Sequence, residues 1–128
     1  MTQKPNIVLI MTDQQQARCC AREGFDLDTT PFLDELAANG AWFDHAYTTA
    51  PICLPARVSA LTGTLPSATR ALTNHHADPA IAPAGDVVDK LSAAGYRTAL
   101  VGKNHSHLQP HEFDHYHGYG HGGALTDT

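Results

Sequence analysis

The sequence predicts a single α/β domain in which a mainly parallel sheet is flanked by helices. Apolar runs typical of buried strands alternate with helix patterns that have clear start and stop signals, and this alternation favours right-handed βαβ crossovers. The chain has 128 residues, enough for one domain, which we place at residues 1–128. Hydrophobic residues make up 42% and charged residues 16%, a composition typical of a globular protein with a buried core.

The first part of the chain predicts a strand, a helix and a second strand. Residues 6–12 (NIVLIMT) form a continuous apolar run, as expected of a strand buried on both faces. A helix is predicted to begin at Pro31, with Thr30 as its cap, and to end at Gly40. Residues 41–48 (AWFDHAYT) predict a short strand. The apolar stripe expected on the helix consists of Phe32, Leu33, Leu36 and Ala37.

The second part of the chain predicts two more helices and another strand. Residues 55–61 form a helix pattern that stops at Thr-Gly. Residues 64–85 show no clear period and are predicted to be mostly loop. Asp86 is expected to cap a third helix that ends at Gly95. Residues 96–101 (YRTALV) predict a further buried strand.

Charge and cysteine content exclude several classes of protein. The net charge of −5 and the lack of a basic stripe argue against nucleic-acid binding. The longest apolar run near the N-terminus, residues 7–11, is too short for a signal-peptide core or a membrane span, so we expect a cytoplasmic protein with no membrane partner. Three cysteines, of which Cys19 and Cys20 are adjacent, argue against a disulfide framework.

Polar residues that could take part in binding or catalysis lie where the predicted strands end. Ligands of parallel sheets gather at the carboxyl ends of strands. Three groups of residues occupy such positions or the loop–helix junction between them: Asp13 with Gln14, Cys53 with Arg57, and Lys103 with His105. Carboxylate and amide oxygens suit calcium, magnesium or manganese, lysine and arginine can hold an anion, and histidine can move a proton. A cysteine at a helix N-terminus can be an activated nucleophile.

Each of these residues also has a structural interpretation. An aspartate after a strand is often a turn or cap residue, a lysine there is usually solvated, and a cysteine opening a helix is more often buried than reactive. Nine histidines are present, against eight lysines and arginines, and six histidines lie in the last quarter of the chain. The spacing in residues 111–121 (HEFDHYHGYGH) matches no closed zinc pattern, so we interpret that stretch as a loop with surface histidines.

The combination of motifs resembles a known family. The pattern Cys-x-Pro-x-Arg at residues 53–57, followed by Leu-Thr-Gly at 61–63, resembles the signature of the type I sulfatases, which belong to the alkaline-phosphatase superfamily. The flanking sequence is similar in order and spacing at residues 4–13, 30–37 and 91–105 and at Phe113-Asp114. The resemblance covers nearly the whole chain and implies an alkaline-phosphatase-like fold.

This resemblance implies a particular chemistry. A separate formylglycine-generating enzyme would convert Cys53 to an aldehyde, whose hydrate attacks the sulfur of a small sulfate ester and later expels sulfate. Arg57 would hold the hydrate, Lys103 would neutralise the sulfate oxygens, and His105 would assist deprotonation of the hydrate. A divalent metal would polarise the nucleophile. Its ligands would include Asp13, Gln14 and the modified Cys53, with Ca²⁺ preferred and Mg²⁺ or Mn²⁺ as alternatives.

Two features bear on the substrate. Many sulfatases have paired aspartates where this chain has Asp13-Gln14, and relatives with Asp and Gln act on choline sulfate, phosphonate monoesters or phosphodiesters. A phosphonate or phosphate ester hydrolase with the same nucleophile is therefore an alternative. Residues near Asn74 reach the substrate in relatives, so Asn74 is a candidate substrate ligand, with His75 and His76 as weaker ones.

The length of the chain sets a further expectation. Sulfatases are several times longer, and their remaining metal ligands and leaving-group acid lie beyond the position of Thr128. We therefore expect residues 1–128 to be the N-terminal part of a catalytic domain, inactive without the C-terminal portion. A non-catalytic sulfatase-like protein is the third alternative. Strands left without neighbours would be open edges that could self-associate.

Overall fold

The computed structural model describes residues 4–74 and 85–119. The chain divides into two compact units, residues 1–46 and 47–128, which are described one at a time. The first unit contains helix α1 (Pro31–Asn39) and single-turn 3-10 helices at Ala17–Cys19 and Ala21–Glu23. The second contains helices α2 (Cys53–Thr62), α3 (Pro66–Thr69) and α4 (Val87–Ala93), strands β1 (Ala99–Lys103) and β2 (His115–Tyr119), and a 3-10 turn at Pro110–Glu112.

Helix α1 has the predicted bounds but not the predicted surroundings. It begins at Pro31, where the missing N–H costs nothing, and is followed by Gly40. The Thr30 side chain does not cap it; its hydroxyl accepts a hydrogen bond from the Ala21 amide at 3.3 Å instead. The expected apolar stripe is not buried, since Phe32 and Leu36 are both largely exposed.

The two strands predicted in the first 48 residues are not present. Residues 6–12 and 41–48 have no strand assignment, and the run from Ile7 to Met11 is exposed, with Val8 at 79%. A strand exists only through hydrogen bonds to a neighbouring strand. Within residues 4–74 and 85–119 the sole pairing is between β1 and β2, so the apolar run has no partner strand there. The prediction of a doubly buried strand at residues 6–12 was therefore wrong for this structure.

Helix α2 carries the core of the second unit. It starts at Cys53, two residues before the predicted start, and ends with Gly63 in the left-handed conformation (φ 67°), as the Thr-Gly stop predicted. Pro55 is tolerated because the first-turn amides have no partner within the helix. Leu54 and Val58 face inward and form a buried cluster with Ala71.

Helices α3 and α4 follow. Helix α3 is a single turn at Pro66–Thr69 within the stretch 64–85 that was predicted to be mostly loop, and residues 75–84 of that stretch lie outside the described residues. Helix α4 confirms the sequence interpretation: the Asp86 carboxylate accepts hydrogen bonds from the amides of Val88 (2.7 Å) and Asp89 (3.1 Å). Gly95 adopts a positive φ of 79° just after the helix. Val88 is buried on the inner side of α4.

Strands β1 and β2 form a two-stranded parallel sheet. Ala99 pairs with His115, and the register continues to Lys103 opposite Tyr119. The predicted strand at residues 96–101 is shifted to Ala99–Lys103, and it is not fully buried, since Val101 is 74% exposed. Strand β2 lies in the histidine-rich stretch that the sequence predicted to be a loop, but His111, His115 and His117 are surface groups as expected.

A reciprocal link between Thr98 and Asp114 fixes where the two strands start. The Thr98 amide donates to Asp114 Oδ2 at 2.7 Å, and the Asp114 amide donates to the Thr98 hydroxyl at 3.3 Å. The His115 amide then bonds the Thr98 carbonyl. The backbone hydrogen bond from Thr98 lowers the pKa of the Asp114 carboxyl, with smaller contributions from the Thr98 hydroxyl and from Arg97.

The described residues thus agree with the predicted α/β class at a coarse level: helices with a small parallel sheet. The helices within those residues fall short of the length and apolar character that crossing a membrane requires.

Candidate functional site

Cys53 is the first residue of α2, at the N-terminal end of the helix. The preceding residue, Ile52, offers no side-chain cap. The cap comes instead from a distant residue, because the Leu54 amide donates to Asn74 Oδ1 at 3.0 Å. Amides at a helix N-terminus otherwise lack partners, so this bond satisfies one of them and fixes the helix end that carries Cys53. The Cys53 residue is partly exposed, which leaves it accessible to a reactant.

Two basic residues link this helix to strand β1. Lys103 is the last residue of β1, and its Nζ donates to Cys53 Sγ at 3.7 Å. Arg57 lies one turn along α2 from Cys53, and its Nη1 donates to the Lys103 main-chain carbonyl at 3.0 Å. A helix face and a strand end are therefore joined by two contacts. Cys53, Arg57 and Lys103, predicted as site residues from the sequence, come together in the structure.

The charges around Cys53 suit an anion. Two cations, the Arg57 guanidinium and the Lys103 ammonium, are half-buried beside the N-terminus of α2. The aligned peptide dipoles add partial positive charge at that end. An anion beside residue 53 would meet the Lys103 ammonium as a point charge, while Arg57 holds the main chain of Lys103. This arrangement can stabilise negative charge at residue 53.

His105 lies two residues beyond Lys103, in the turn that leaves β1. Its backbone is in the left-handed region (φ 34°), which non-glycine residues seldom adopt, and its Nδ1 atom is buried. Such conformations persist only where the surroundings enforce them. The turn is held by its own polar contacts, since Asn104 donates to the Leu108 carbonyl at 2.8 Å and Ser106 donates to Asn104 at 2.6 Å.

Asp13 and Gln14 belong to the first unit and are exposed there. Gln14 has a positive φ of 61°, so the chain turns sharply at this point. Within residues 4–74 and 85–119, no group of three or more His, Cys, Asp or Glu side chains is placed to hold a metal ion. The oxygen donors of Asp13 and Gln14 are of a kind that calcium prefers, but the described residues do not assemble a ligand set. Their metal role remains a prediction.

Asn74 was predicted to be a substrate ligand, and the structure gives its side-chain oxygen a different contact, the Leu54 amide. Its substrate role remains a prediction. His75, His76 and His121 lie outside the described residues. The predicted surface histidines that are described do not form a metal cluster.

Sequence reasoning missed the pair formed by Asp86 and His107. His107 Nε2 lies 3.2 Å from Asp86 Oδ2, and the two side chains are only 9% and 5% exposed. Asp86 was predicted only as a helix cap, and His107 was given no role of its own. One sequence signal was present: Leu108 is the single apolar residue of a polar stretch, and it is buried at 2% exposure next to His107.

The chain is similar to known proteins over most of its length. A family model described as Sulfatase matches residues 5–127. The chain is 40% identical over 104 residues to a choline-sulfatase of Rhizobium meliloti and 36% identical over 102 residues to an arylsulfatase of Clostridium perfringens. It is 35% identical over 133 aligned positions to the human N-acetylgalactosamine-6-sulfatase. These matches cover 81%, 80% and 91% of this chain but only 20%, 21% and 26% of those relatives, so the chain spans about a quarter of their length or less.

Proposed function

The chain belongs to the sulfatase family, and on that premise we propose that it supplies the nucleophile part of the active site of a sulfuric ester hydrolase. The observation that carries the proposal is the contact of Lys103 with Cys53 at 3.7 Å, backed by the Arg57 contact to the Lys103 carbonyl. These residues match the family resemblance and converge at one helix end. An alkaline-phosphatase-like fold around the small parallel sheet is part of the same proposal.

Each residue has a distinct role in this proposal. Lys103 binds the sulfate oxygens and offsets the charge that builds up on them, because its ammonium is directed at residue 53. Arg57 orients residue 53 and keeps β1 in place against α2 through the Lys103 carbonyl. His105 accepts a proton from the group at residue 53, since imidazole is the side chain suited to proton transfer near neutral pH.

The family's modification fits this position. Cys53 is partly exposed, stands first in its helix and has a cation beside its sulfur, so an aldehyde there would be both accessible and surrounded by anion-binding groups. As formylglycine, residue 53 would supply a hydrated aldehyde whose hydroxyl is the nucleophile. A formylglycine-generating enzyme is the partner that this implies. Asp13 and Gln14 are proposed as oxygen ligands of a divalent cation, with Ca²⁺ preferred.

Activity is tested on an aryl sulfate, with the protein co-produced with a formylglycine-generating enzyme. The complete gene product and residues 1–128 alone are assayed side by side, and we expect residues 1–128 to be inactive. In the gene product, Cys53→Ala is expected to abolish turnover, while Cys19→Ser, a change at another partly exposed cysteine, leaves it unchanged. Peptide mass spectrometry checks the modification, because conversion replaces CH₂–SH by CH=O. Turnover by Cys53→Ala would contradict the proposal.

Gln14 favours a second candidate, hydrolysis of phosphonate or phosphate esters by the same nucleophile. Matched sulfate and phosphonate aryl esters separate the two functions, since they share a leaving group and differ in the atom attacked. A kcat/KM at least tenfold higher for the sulfate is expected. The reverse ratio would assign the phosphonate ester as the better substrate. If Cys53 stays an unmodified thiol and neither ester is hydrolysed, a non-catalytic protein would be favoured.

A further inference from the structure

The turn that follows β1 is tied to the start of α4 by one buried polar contact. His107 Nε2 lies 3.2 Å from Asp86 Oδ2, and both side chains are more than nine-tenths buried. A carboxylate only accepts hydrogen bonds, so Nε2 must carry the hydrogen. The other ring nitrogen, Nδ1, is buried and makes no hydrogen bond within the described residues. Among the described residues, Asp86 is therefore the one hydrogen-bond partner of the His107 imidazole.

Asp86 does two jobs with its two oxygens. Oδ1 accepts from the amides of Val88 and Asp89 and so caps α4, while Oδ2 faces His107. Because the carboxylate is fixed by the helix end, the position of the His107 ring is fixed as well. A buried polar pair of this kind is costly to break, since removal of one partner leaves the other without a hydrogen bond.

The same turn carries the residues that approach Cys53. Lys103 immediately precedes it, and His105 lies within it with a left-handed backbone. Contacts inside the turn, between Asn104, Ser106 and Leu108, keep it rigid but cannot fix its position in the unit. The contacts of the turn with other elements include the Arg57 bond to the Lys103 carbonyl, the burial of Leu108 and the bond of His107 to Asp86. The bond of His107 to Asp86 is the directional contact that joins the turn to the start of α4.

From this geometry we propose that the Asp86–His107 pair is a positioning device for the nucleophile site. It holds residues 104–109 against the N-terminus of α4, and through them it sets where Lys103 and His105 stand relative to Cys53. Neither Asp86 nor His107 is a catalytic residue in this scheme. The catalytic consequence rests on the proposed function, but the positional claim concerns only the contact of Lys103 with Cys53 and can be tested without turnover.

The first test measures the accessibility of the Lys103 amine. Acetylation by a limiting reagent is followed at each lysine by peptide mass spectrometry, with Lys4 as the internal reference because it lies in the other unit. His107→Leu removes the donor, and Asp86→Ser removes the oxygen that faces His107 while keeping a good helix cap. We expect both changes to raise the acetylation of Lys103 relative to Lys4 by roughly threefold or more, through local opening of the turn.

Two matched variants separate positioning from general loss of stability. His107→Gln keeps an N–H donor of similar reach and is expected to restore the wild-type ratio to within twofold. Val88→Ala shortens a buried side chain on the same helix without touching the pair, and it should lower the melting temperature with no change in the ratio. The proposal is overturned if Val88→Ala raises Lys103 acetylation as much as His107→Leu, or if His107→Gln behaves like His107→Leu.

The second test uses turnover by the complete gene product, if that product hydrolyses the aryl sulfate. His107→Leu and Asp86→Ser are expected to lower kcat about tenfold with KM within twofold of wild type, as is usual when a group that orients a catalytic residue is removed. His107→Gln should recover most of kcat. Unchanged kcat in both single variants would refute the proposal even if the enzyme is a sulfatase. A shift in acetylation without any sulfatase activity would refute only the proposed function.

Discussion

The two units of this chain differ in how far their apolar side chains are buried. In residues 4–46, Cys20 is the one apolar side chain that is fully buried, while Ile7, Val8, Ile10, Phe32 and Phe43 are largely exposed. In the described part of the second unit, Leu54, Val58, Ala71, Val88 and Leu108 are buried. Both units contain a helix that the sequence predicted correctly, but among the residues that the structure describes, the buried apolar cluster and the sheet lie in the second unit.

The contrast shows which structural signals are local and which are not. Helix α1 forms from a proline start and a glycine stop although its apolar side chains stay exposed. The apolar run at residues 6–12 has the stronger burial signal and yet forms no strand, since strand formation needs a partner that the chain must provide elsewhere. The proposed nucleophile residues lie in the unit with a core, whereas Asp13 and Gln14 lie in the unit without one.

The sharpest test of this contrast is a pair of truncations to alanine. Val58 is fully buried in α2 (0% exposed), so Val58→Ala is expected to lower the free energy of unfolding by about 2 kcal/mol through lost burial and the cavity left behind. Leu36 on α1 is 68% exposed, so Leu36→Ala should change the free energy of unfolding by no more than about 0.5 kcal/mol. Urea unfolding of both variants is the measurement. A larger loss of unfolding free energy for Leu36→Ala than for Val58→Ala would contradict the contrast between the two units.

Replacement of a glycine that has a positive φ is expected to give the next largest loss of stability. Gly102 has a φ of 107° directly before Lys103, and Gly24 in the first unit has a φ of 91° with open space around it. A side chain at either position forces an unfavourable backbone, at a cost of order 1–3 kcal/mol.

The two alanine variants differ in where the strain is felt. Gly102→Ala is expected to weaken the contact of Lys103 with Cys53, seen as faster amide exchange in β1 and at the start of α2, while Gly24→Ala leaves both unchanged. Equal exchange in the two variants would contradict this assignment. Melting temperatures confirm that the backbone cost is comparable.

Removal of the remote cap of α2 has a moderate effect. Asn74→Ala deletes the acceptor of the Leu54 amide and should cost about 1 kcal/mol in unfolding free energy, whereas Asn74→Asp keeps an acceptor and should cost less. Exchange of the Leu54 amide, followed by NMR, locates the effect. Asn39→Ala, which removes an exposed side-chain bond at the end of α1, serves as the matched control. An Asn39 effect as large as that of Asn74 would count against a capping role.

The smallest expected effect is the loss of stability at low pH through Asp114. Because the folded pKa of Asp114 lies below its usual value, the bond from Thr98 contributes stability that is complete above the unfolded pKa of roughly 3.9 and is lost as pH falls through the folded pKa. Asp114→Asn keeps an acceptor for the Thr98 amide but cannot titrate. The difference in stability between wild type and this variant should therefore shrink as the pH is lowered below about 4.

Unfolding at several pH values tests this expectation, with the exposed Asp28→Asn variant as the control. A difference that stays constant down to about pH 2 would show that the Asp114 carboxylate does not contribute through its charge.

What the sequence could predict follows the range of the interactions involved. The stop at Gly63 and the cap at Asp86 are determined by neighbouring residues, and both were predicted correctly. Strand β2 was missed because HYHGY contains no apolar run, and its pairing depends on β1, sixteen positions earlier in the register. The bond from the Leu54 amide to the Asn74 side-chain oxygen spans twenty residues and has no local signature.

The candidate site divides in the same way. Cys53 and Arg57 are four residues apart on one helix, so their relation can be derived from helix geometry. Lys103 was placed near them only by the rule that strand ends gather ligands, and the structure agrees with it. The pairing of His107 with Asp86 depends on how a turn folds back onto a helix end, which no periodicity encodes.

The bond from Arg57 to residue 103 has a consequence for how this protein can change. It ends on a main-chain carbonyl, and every amino acid offers the same carbonyl at that position. The link between α2 and β1 is thus indifferent to the side chain at 103. A substitution at residue 103 can therefore replace the ammonium by a different charge or shape while the Arg57 bond between α2 and β1 stays in place. The preference for one anion over another can change in this way without a change in the backbone that presents residue 103.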